Sequence, residues 1–376
     1  MTATKRTSTA RSIRGARGSA DVETSSREAF IPPYPPSWVD RFTDWVERLP
    51  IPWWLFYLTV GLLLEAIQVY ILWSGGVFNT FGVHFFQFFL PVNYVLALFL
   101  MHAFDRRART ALERFRPALR PEAGVEARLR YELTTLPARP TILAGTIGLA
   151  FGVLGSLGMG IDLRTYPAFG MNTTQTGYLF FAATFIPTLW FWFTLIYHTI
   201  HQLRMVRRIY ARETIVDLYR LRPIYALAEL TALTAIGFAI YTYPWLEDTL
   251  NASSTYGAAA ILINTPFFAW PLVIFVWPLW GAHRALVELK EVALAEAATR
   301  AKLLASLLHE RIDGRQLAGI DEVHKAITAL EFEITRLVKI PTWPWHPGTF
   351  RGLLAAVFLP LLLWAVQFVL QRVLVK

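Results

Sequence analysis

A single acid, Glu65, stands near the middle of the apolar run Pro52–Trp73. An ionised carboxylate at the centre of a bilayer costs about 2.5–3.5 kcal/mol on insertion scales, and such acids usually line a pathway for ions, protons or substrate. Gln68 lies one helical turn on and Gly61 one turn back, so the three share a face. In the next apolar run, Val83–Ala103, the residues His84, Gln87, Pro91 and Tyr94 follow a 3-4-3 spacing and draw a polar stripe down one side of a helix. Asn93 points away from that stripe. A later run places Asn264 and Thr265 before Pro266, and the last one spaces Pro360, Trp364, Gln367 and Gln371 at four, three and four. The chemistry open to Glu65, Gln68, His84, Gln87, Tyr94 and Asn264 is proton exchange at a carboxyl, or hydrogen bonding to a small ligand or ion in a polar cavity. The competing reading is that the amides only hold helices together, at about 0.6 kcal/mol per bond.

A second set of residues closes three of the apolar runs: His102, His198, His201 and His283. His198 and His201, at i and i+3, could face a common metal or haem. No third ligand follows at helical spacing, and neither His-x-x-x-His nor His-Glu-x-x-His occurs. The chain has no cysteine, which excludes disulfides, thiolate zinc sites, iron–sulfur clusters and thiol catalysis. Phosphate-binding glycine loops, Gly-x-Ser-x-Gly and calcium-loop spacings are also missing. The expectation is a protein that is not an enzyme, with no cofactor, no metal and no nucleic-acid partner.

The elements that position these residues follow from composition. Hydrophobic residues make up 55% of the 376 and charged ones 17%, against about 25% charged in soluble domains. Seven runs are long enough to span a bilayer core, which takes about 20 helical residues. They are Pro52–Trp73, Val83–Ala103, Thr141–Gly160, Tyr178–Ile200, Ile224–Tyr243, Ala258–Trp280 and Phe350–Val373. Of the 36 Lys and Arg, all but Arg164, Arg372 and Lys376 fall in the stretches 1–51, 104–140, 201–222 and 281–351. Basic residues stay in the cytoplasm, so the pattern predicts an N-terminus inside and a C-terminus outside. The fold class is an all-α polytopic membrane protein in the cell membrane, the inner membrane for a bacterial source. The polar residues of the spans then gather at the midplane and in the outer half.

Five regions are expected. Residues 1–29 form a basic, disordered tail with no apolar signal core, although its early arginines also resemble a transit peptide. Residues 30–51 are a proline-rich lead-in with an interfacial helix carrying Val39, Phe42, Trp45, Val46 and Leu49. Residues 52–280 hold six spans, with cytoplasmic loops at 104–140 and 201–222. Within the first loop Val125, Leu129, Leu133 and Leu136 mark a short amphipathic helix. In the third span Gly145, Gly148, Gly152 and Gly155 repeat at 3-4-3, the mark of a close helix–helix contact.

Residues 281–349 are expected to form a cytoplasmic helical hairpin, and 350–376 the seventh span. The first arm shows Leu286, Leu289, Ala293, Ala297, Ala301, Leu304 and Leu308. After Asp313-Gly314, the second shows Ile320, Val323, Ile327, Leu330, Ile334 and Leu337 in coiled-coil spacing. Three alanines in the first stripe leave a thin core, so the hairpin wants a further partner: the 125–136 helix or a second copy of the chain.

This arrangement resembles the insect gustatory and odorant receptor superfamily, whose last span carries Thr-Tyr, five apolar residues and then Gln-Phe. Here Gln367-Phe368 stands at the second place, and Pro360-Leu361 occupies the first. The resemblance implies a ligand-gated cation channel, a homo-oligomer joined through cytoplasmic helices, with Gln367 and Gln371 near the pore. The alternatives are a proton-coupled transporter using Glu65, and a membrane scaffold recruiting a partner through the 282–338 hairpin.

Overall fold

The computed structural model describes residues 30–74, 85–121, 124–159, 175–256, 258–316 and 318–374. The predicted tail 1–29 and His84 lie outside them. Among the described residues every regular element is a helix, and two isolated bridges, Pro36 with Pro137 and Leu119 with Thr214, are the only extended pairings. The helices are α1 (Trp38–Glu47), α2 (Trp53–Ser74), α3 (Phe85–Phe115), α4 (Val125–Thr134), α5 (Ala138–Met159), α6 (Gln175–Arg208), α7 (Arg222–Tyr256), α8 (Ala258–Asp313), α9 (Ile320–Lys339) and α10 (Pro347–Leu374).

Among the described residues, four stretches are long and apolar enough to cross a membrane: Trp53–Ile71 of α2, Ala138–Gly155 of α5, Arg222–Pro244 of α7 and Ala269–Asp313, within α8. In α7 72% of the apolar window is buried inside the protein, against 17% in α2. The first is therefore the axis of the bundle and the second a peripheral helix. α7 packs on α3, α8 and α10, while α2 packs on α3 and α5 on α6. Tyr241 and Phe275, with Met101, Phe115 and Leu195, are the large side chains fully enclosed at the centre.

The helices overrun the apolar segments that define them. α3 continues to Phe115, through Arg106, Arg107 and Arg109, so the first third of the expected 104–140 loop is a continuation of this helix. A single 3₁₀ turn, Arg116–Ala118, then leads towards α4, whose Leu129 and Leu133 are buried as their spacing predicts. α6 likewise reaches Arg208 and ends in a π-helical turn, Ile209–Glu213. α8 has 56 residues, about 84 Å at 1.5 Å per residue, and leaves the bundle as a projecting arm.

α9 folds back on that arm. Ala297, Leu330 and Leu337 are buried between the two, with Ala293, Ala301, Leu304 and Ile334 packed around them. Lys290 Nζ donates to the carbonyls of Val338 (2.7 Å) and Ile340 (2.9 Å), closing the C-terminal end of α9 with a cation. Leu289 differs from expectation and is 39% exposed. At 100° per residue it lies on the edge of the stripe, about 60° from Leu286. With Val292, Leu303 and Leu307 it forms a second, uncovered apolar line along the arm. α4 packs on α3 and α6 at the base of the bundle.

The helix expected within 30–51 forms as α1, and its start is fixed by a capping box: the Ser37 hydroxyl accepts from the Asp40 backbone while Asp40 accepts from the Ser37 backbone. The glycine stripe of α5 meets α6. A Cβ on Gly145 would lie 2.6 Å from Trp190 Cε2, one on Gly152 3.0 Å from Ile186 Cα, and one on Gly148 would collide with the Leu189 carbonyl oxygen. Only glycine lets the two backbones approach so closely.

Candidate functional site

Glu65 lines a groove of about 350 Å³ between α2 and α3. Tyr57, Leu58, Gly61, Leu62 and Glu65 supply the α2 wall, at a spacing that keeps them on one side of the helix, and Phe89 and Val92 supply the α3 wall. Gly61 brings the helices together, since a Cβ there would just touch Val92 (3.9 Å) and Val95 (4.0 Å). Leu58 and Leu62, at 49% and 62% exposure, form the mouth, which opens sideways from the bundle. Both Glu65 carboxylate oxygens are themselves buried, and neither has a hydrogen-bond partner among the described residues. The Tyr57 hydroxyl, by contrast, is engaged with His102 Nδ1 at 3.1 Å.

Of the other residues expected in this cavity, Gln68 is fully buried on α2 one turn beyond Glu65. Tyr94 turns to α6 and stacks on Phe191, with ring centres 5.7 Å apart. Asn93 accepts a hydrogen bond from the Tyr241 hydroxyl, tying α3 to the central helix α7. Gln87, Asn264, Gln367 and Gln371 fall within α3, α8 and α10, but their side chains lie outside the described residues, as His84 does altogether.

The four histidines stand at the end of the bundle that carries the arginines, and each has its own partner. His102 is clamped on both nitrogens, by Tyr57 and by Glu47 Oε1 (3.1 Å). Arg106 and Arg109 lie 3.0 and 3.6 Å from the same Glu47 carboxylate. Burial would raise the pKa of Glu47, but hydrogen bonds from His102 and Arg106 and the charge of Arg109 outweigh it and hold the carboxyl below its usual range. His198 Nε2 lies 2.9 Å from Asp105 Oδ1. His201 Nε2 donates to the Glu132 carbonyl (2.9 Å). His283 donates to the Thr342 carbonyl (3.1 Å) and stacks on Trp343 at 3.9 Å. Among the described residues no group of three or more His, Asp or Glu is placed to hold a metal ion. Each of the four histidines thus joins one element to another.

Sequence reasoning missed the acids that complete these joints. Glu47, Asp105 and Glu132 lie in polar, arginine-rich stretches where no periodicity marks them, and their side-chain partners His102, His198 and Arg208 are 55, 93 and 76 residues away in the chain. A fourth acid, Asp40, anchors α1. Its Oδ2 accepts from the Ser37 hydroxyl (2.7 Å), the Ser37 amide (2.8 Å) and the Leu136 amide (3.1 Å). Burial, aided by the charge of Asp105, raises its pKa to about 6 against the opposing pull of those donors. Tyr34 and Tyr131 extend the attachment: the Tyr131 hydroxyl donates to the Tyr34 carbonyl (2.6 Å) and the Tyr34 hydroxyl to the Thr135 carbonyl (2.9 Å). The arginine-bearing end is therefore a tightly bonded collar around α1, whereas the groove between α2 and α3 is lined by an acid, Glu65, with no hydrogen-bond partner among the described residues. Comparison with protein families, with curated proteins and with solved structures finds no match to this chain.

Proposed function

We propose that the chain is a seven-span protein of the cell membrane, N-terminus inside and C-terminus outside, acting as a receptor-like ligand-gated ion channel. The Glu65 groove takes a small ligand, the last helix lines conduction, and the cytoplasmic hairpin joins the subunits of a homo-oligomer. The observation that carries this reading is the Glu65 carboxylate itself. A group whose insertion costs about 2.5–3.5 kcal/mol, and which returns no hydrogen bond to the fold among the described residues, is retained for something other than stability. Tyr57 supplies a route from ligand to gate. It lines the groove, and through His102 it reaches Glu47 and hence α1 at the cytoplasmic face.

The test is Glu65→Gln in proteoliposomes, read as ion flux. A change in flux or in its ligand dependence, with unchanged assembly, is expected; flux identical to wild type would overturn the assignment. A pH gradient separates the transporter alternative, because a carrier using Glu65 as its proton site runs uphill on that gradient and a channel does not. The uncovered line Leu289, Val292, Leu303 and Leu307 favours a second reading, a scaffold. There the hairpin binds a different protein, and Glu65→Gln leaves recruitment untouched.

A further inference from the structure

The groove at Glu65 has the chemistry of a particular occupant. Among the described residues its walls are apolar apart from Glu65 and Tyr57, and the Tyr57 hydroxyl is already committed to His102. A ligand must therefore bring its own partner for the carboxylate. At about 350 Å³ the groove lies at the lower end of ligand sites, which run to roughly 300–1,000 Å³, so it holds one short amphiphile. Its mouth is formed by half-exposed leucines on a helix with most of its surface turned outward, so entry is lateral, from lipid.

We propose that the groove binds an amphiphile with a protonatable amine, delivered from the bilayer, its alkyl chain along Leu58, Leu62 and Phe89 and its nitrogen on the Glu65 carboxyl, which turns from its buried position to meet it. The inference rests on the reading of the groove as the ligand site and adds the class of ligand. An uncharged amine meeting a protonated carboxyl takes its proton onto the nitrogen lone pair and leaves an ammonium–carboxylate pair. The pair carries no net charge, so nothing net is buried in hydrocarbon, and both carboxylate oxygens gain a charge-assisted neighbour. An alcohol of the same length offers one neutral hydrogen bond, about half as strong. A fatty acid brings a second carboxylate and competes for the same proton.

The experiment uses the full-length protein in phosphatidylcholine vesicles at fixed pH, with dicyclohexylcarbodiimide as reporter of a protonated, lipid-accessible carboxyl. The carboxyl proton moves to one carbodiimide nitrogen, the carboxyl oxygen bonds the central carbon, and an acyl shift to nitrogen leaves a stable N-acylurea with no leaving group. Labelling at Glu65 is read by peptide mass spectrometry in the presence of N,N-dimethyldecylamine or 1-decanol. The expected result is labelling slowed at least tenfold by the amine at a concentration where decanol changes it less than twofold. In Leu62→Trp, where the new ring fills the groove from an exposed position, the amine no longer protects. Equal protection by both compounds overturns the amine and leaves the groove as a ligand site. Labelling that neither compound slows, protection that survives Leu62→Trp, or no labelling at all overturns the inference outright. The flux of Glu65→Gln decides the functional reading independently of each of these outcomes.

Discussion

Replacing Gly148 by alanine places a methyl group against the carbonyl oxygen of Leu189, and 2.9 Å from both the Leu189 carbonyl carbon and Phe193 Cβ. Two of those three atoms belong to the α6 backbone, which cannot rotate aside as a flexible side chain would. α5 must therefore move away from α6, loosening the contacts that Gly145 and Gly152 make on either side. Overpacking of this kind costs about 1–3 kcal/mol. Alanine returns up to about 1 kcal/mol through its better helix propensity, so the expected net loss is about 1–2 kcal/mol. Gly281→Ala is the matched control: nothing lies within 4 Å of its Cβ, so only the propensity gain remains. Gly155→Ala falls between, since the nearest atom, Phe185 Cε1 at 3.4 Å, is the edge of a ring that can yield. The assay is unfolding in mixed micelles at rising dodecyl sulfate fraction, followed by tryptophan fluorescence. The order from least to most stable should be Gly148→Ala, wild type, Gly155→Ala, Gly281→Ala. A Gly148→Ala protein as stable as Gly281→Ala would refute the close approach of α5 and α6.

Asp40 gives a pH dependence with a definite sign. Its folded pKa, about 6, lies above the ordinary aspartate value of 3.8, so the folded state holds the proton more tightly than the unfolded one. The stability this contributes is complete below about pH 4 and is lost as the pH rises through about 6. Hydrogen exchange at the Leu136 amide, corrected for intrinsic rate, should quicken over that window in wild type and stay flat in Asp40→Asn. Asp105→Ala leaves His198 Nε2 buried without its acceptor and should cost about 1.5–3 kcal/mol in the same micelle assay; a loss below 0.5 kcal/mol, roughly the noise of such comparisons, would show the pair to be dispensable. In the proposed homo-oligomer, glutamates at Leu303 and Leu307, both exposed on the projecting arm, should leave helicity unchanged and reduce the particle mass to a single chain by light scattering. An unchanged multiple would place the subunit contact elsewhere.

What could be read from the sequence separates from what could not along a physical line. A property of one position in one helix is local. The cost of Glu65 depends only on the 20-odd apolar residues around it, and the glycine stripe, the α4 leucines and the arms of the hairpin each follow from spacing within a single element. A pairing is relational. Nothing in His102-Ala-Phe-Asp105 says that the histidine will take Glu47 and the aspartate will take His198, because both choices are made by how α1, α3 and α6 dock. The same distinction explains Tyr94. Its place in the 3-4-3 stripe fixes its direction on α3, but Phe191 on α6 decides that the ring packs instead of lining the groove. It also explains why the histidines looked like ligands. Four of them at one end of a bundle are a metal site only if their rings converge, and convergence depends on rotation about each helix axis, which the docking partners set. Glu65 survives this test because its partner is not another residue among those described. An acid that finds its counterpart within the fold becomes a joint, as Glu47 and Asp105 have. One that finds none there is left with a groove and whatever enters it, and that is the residue on which the ligand experiments should turn.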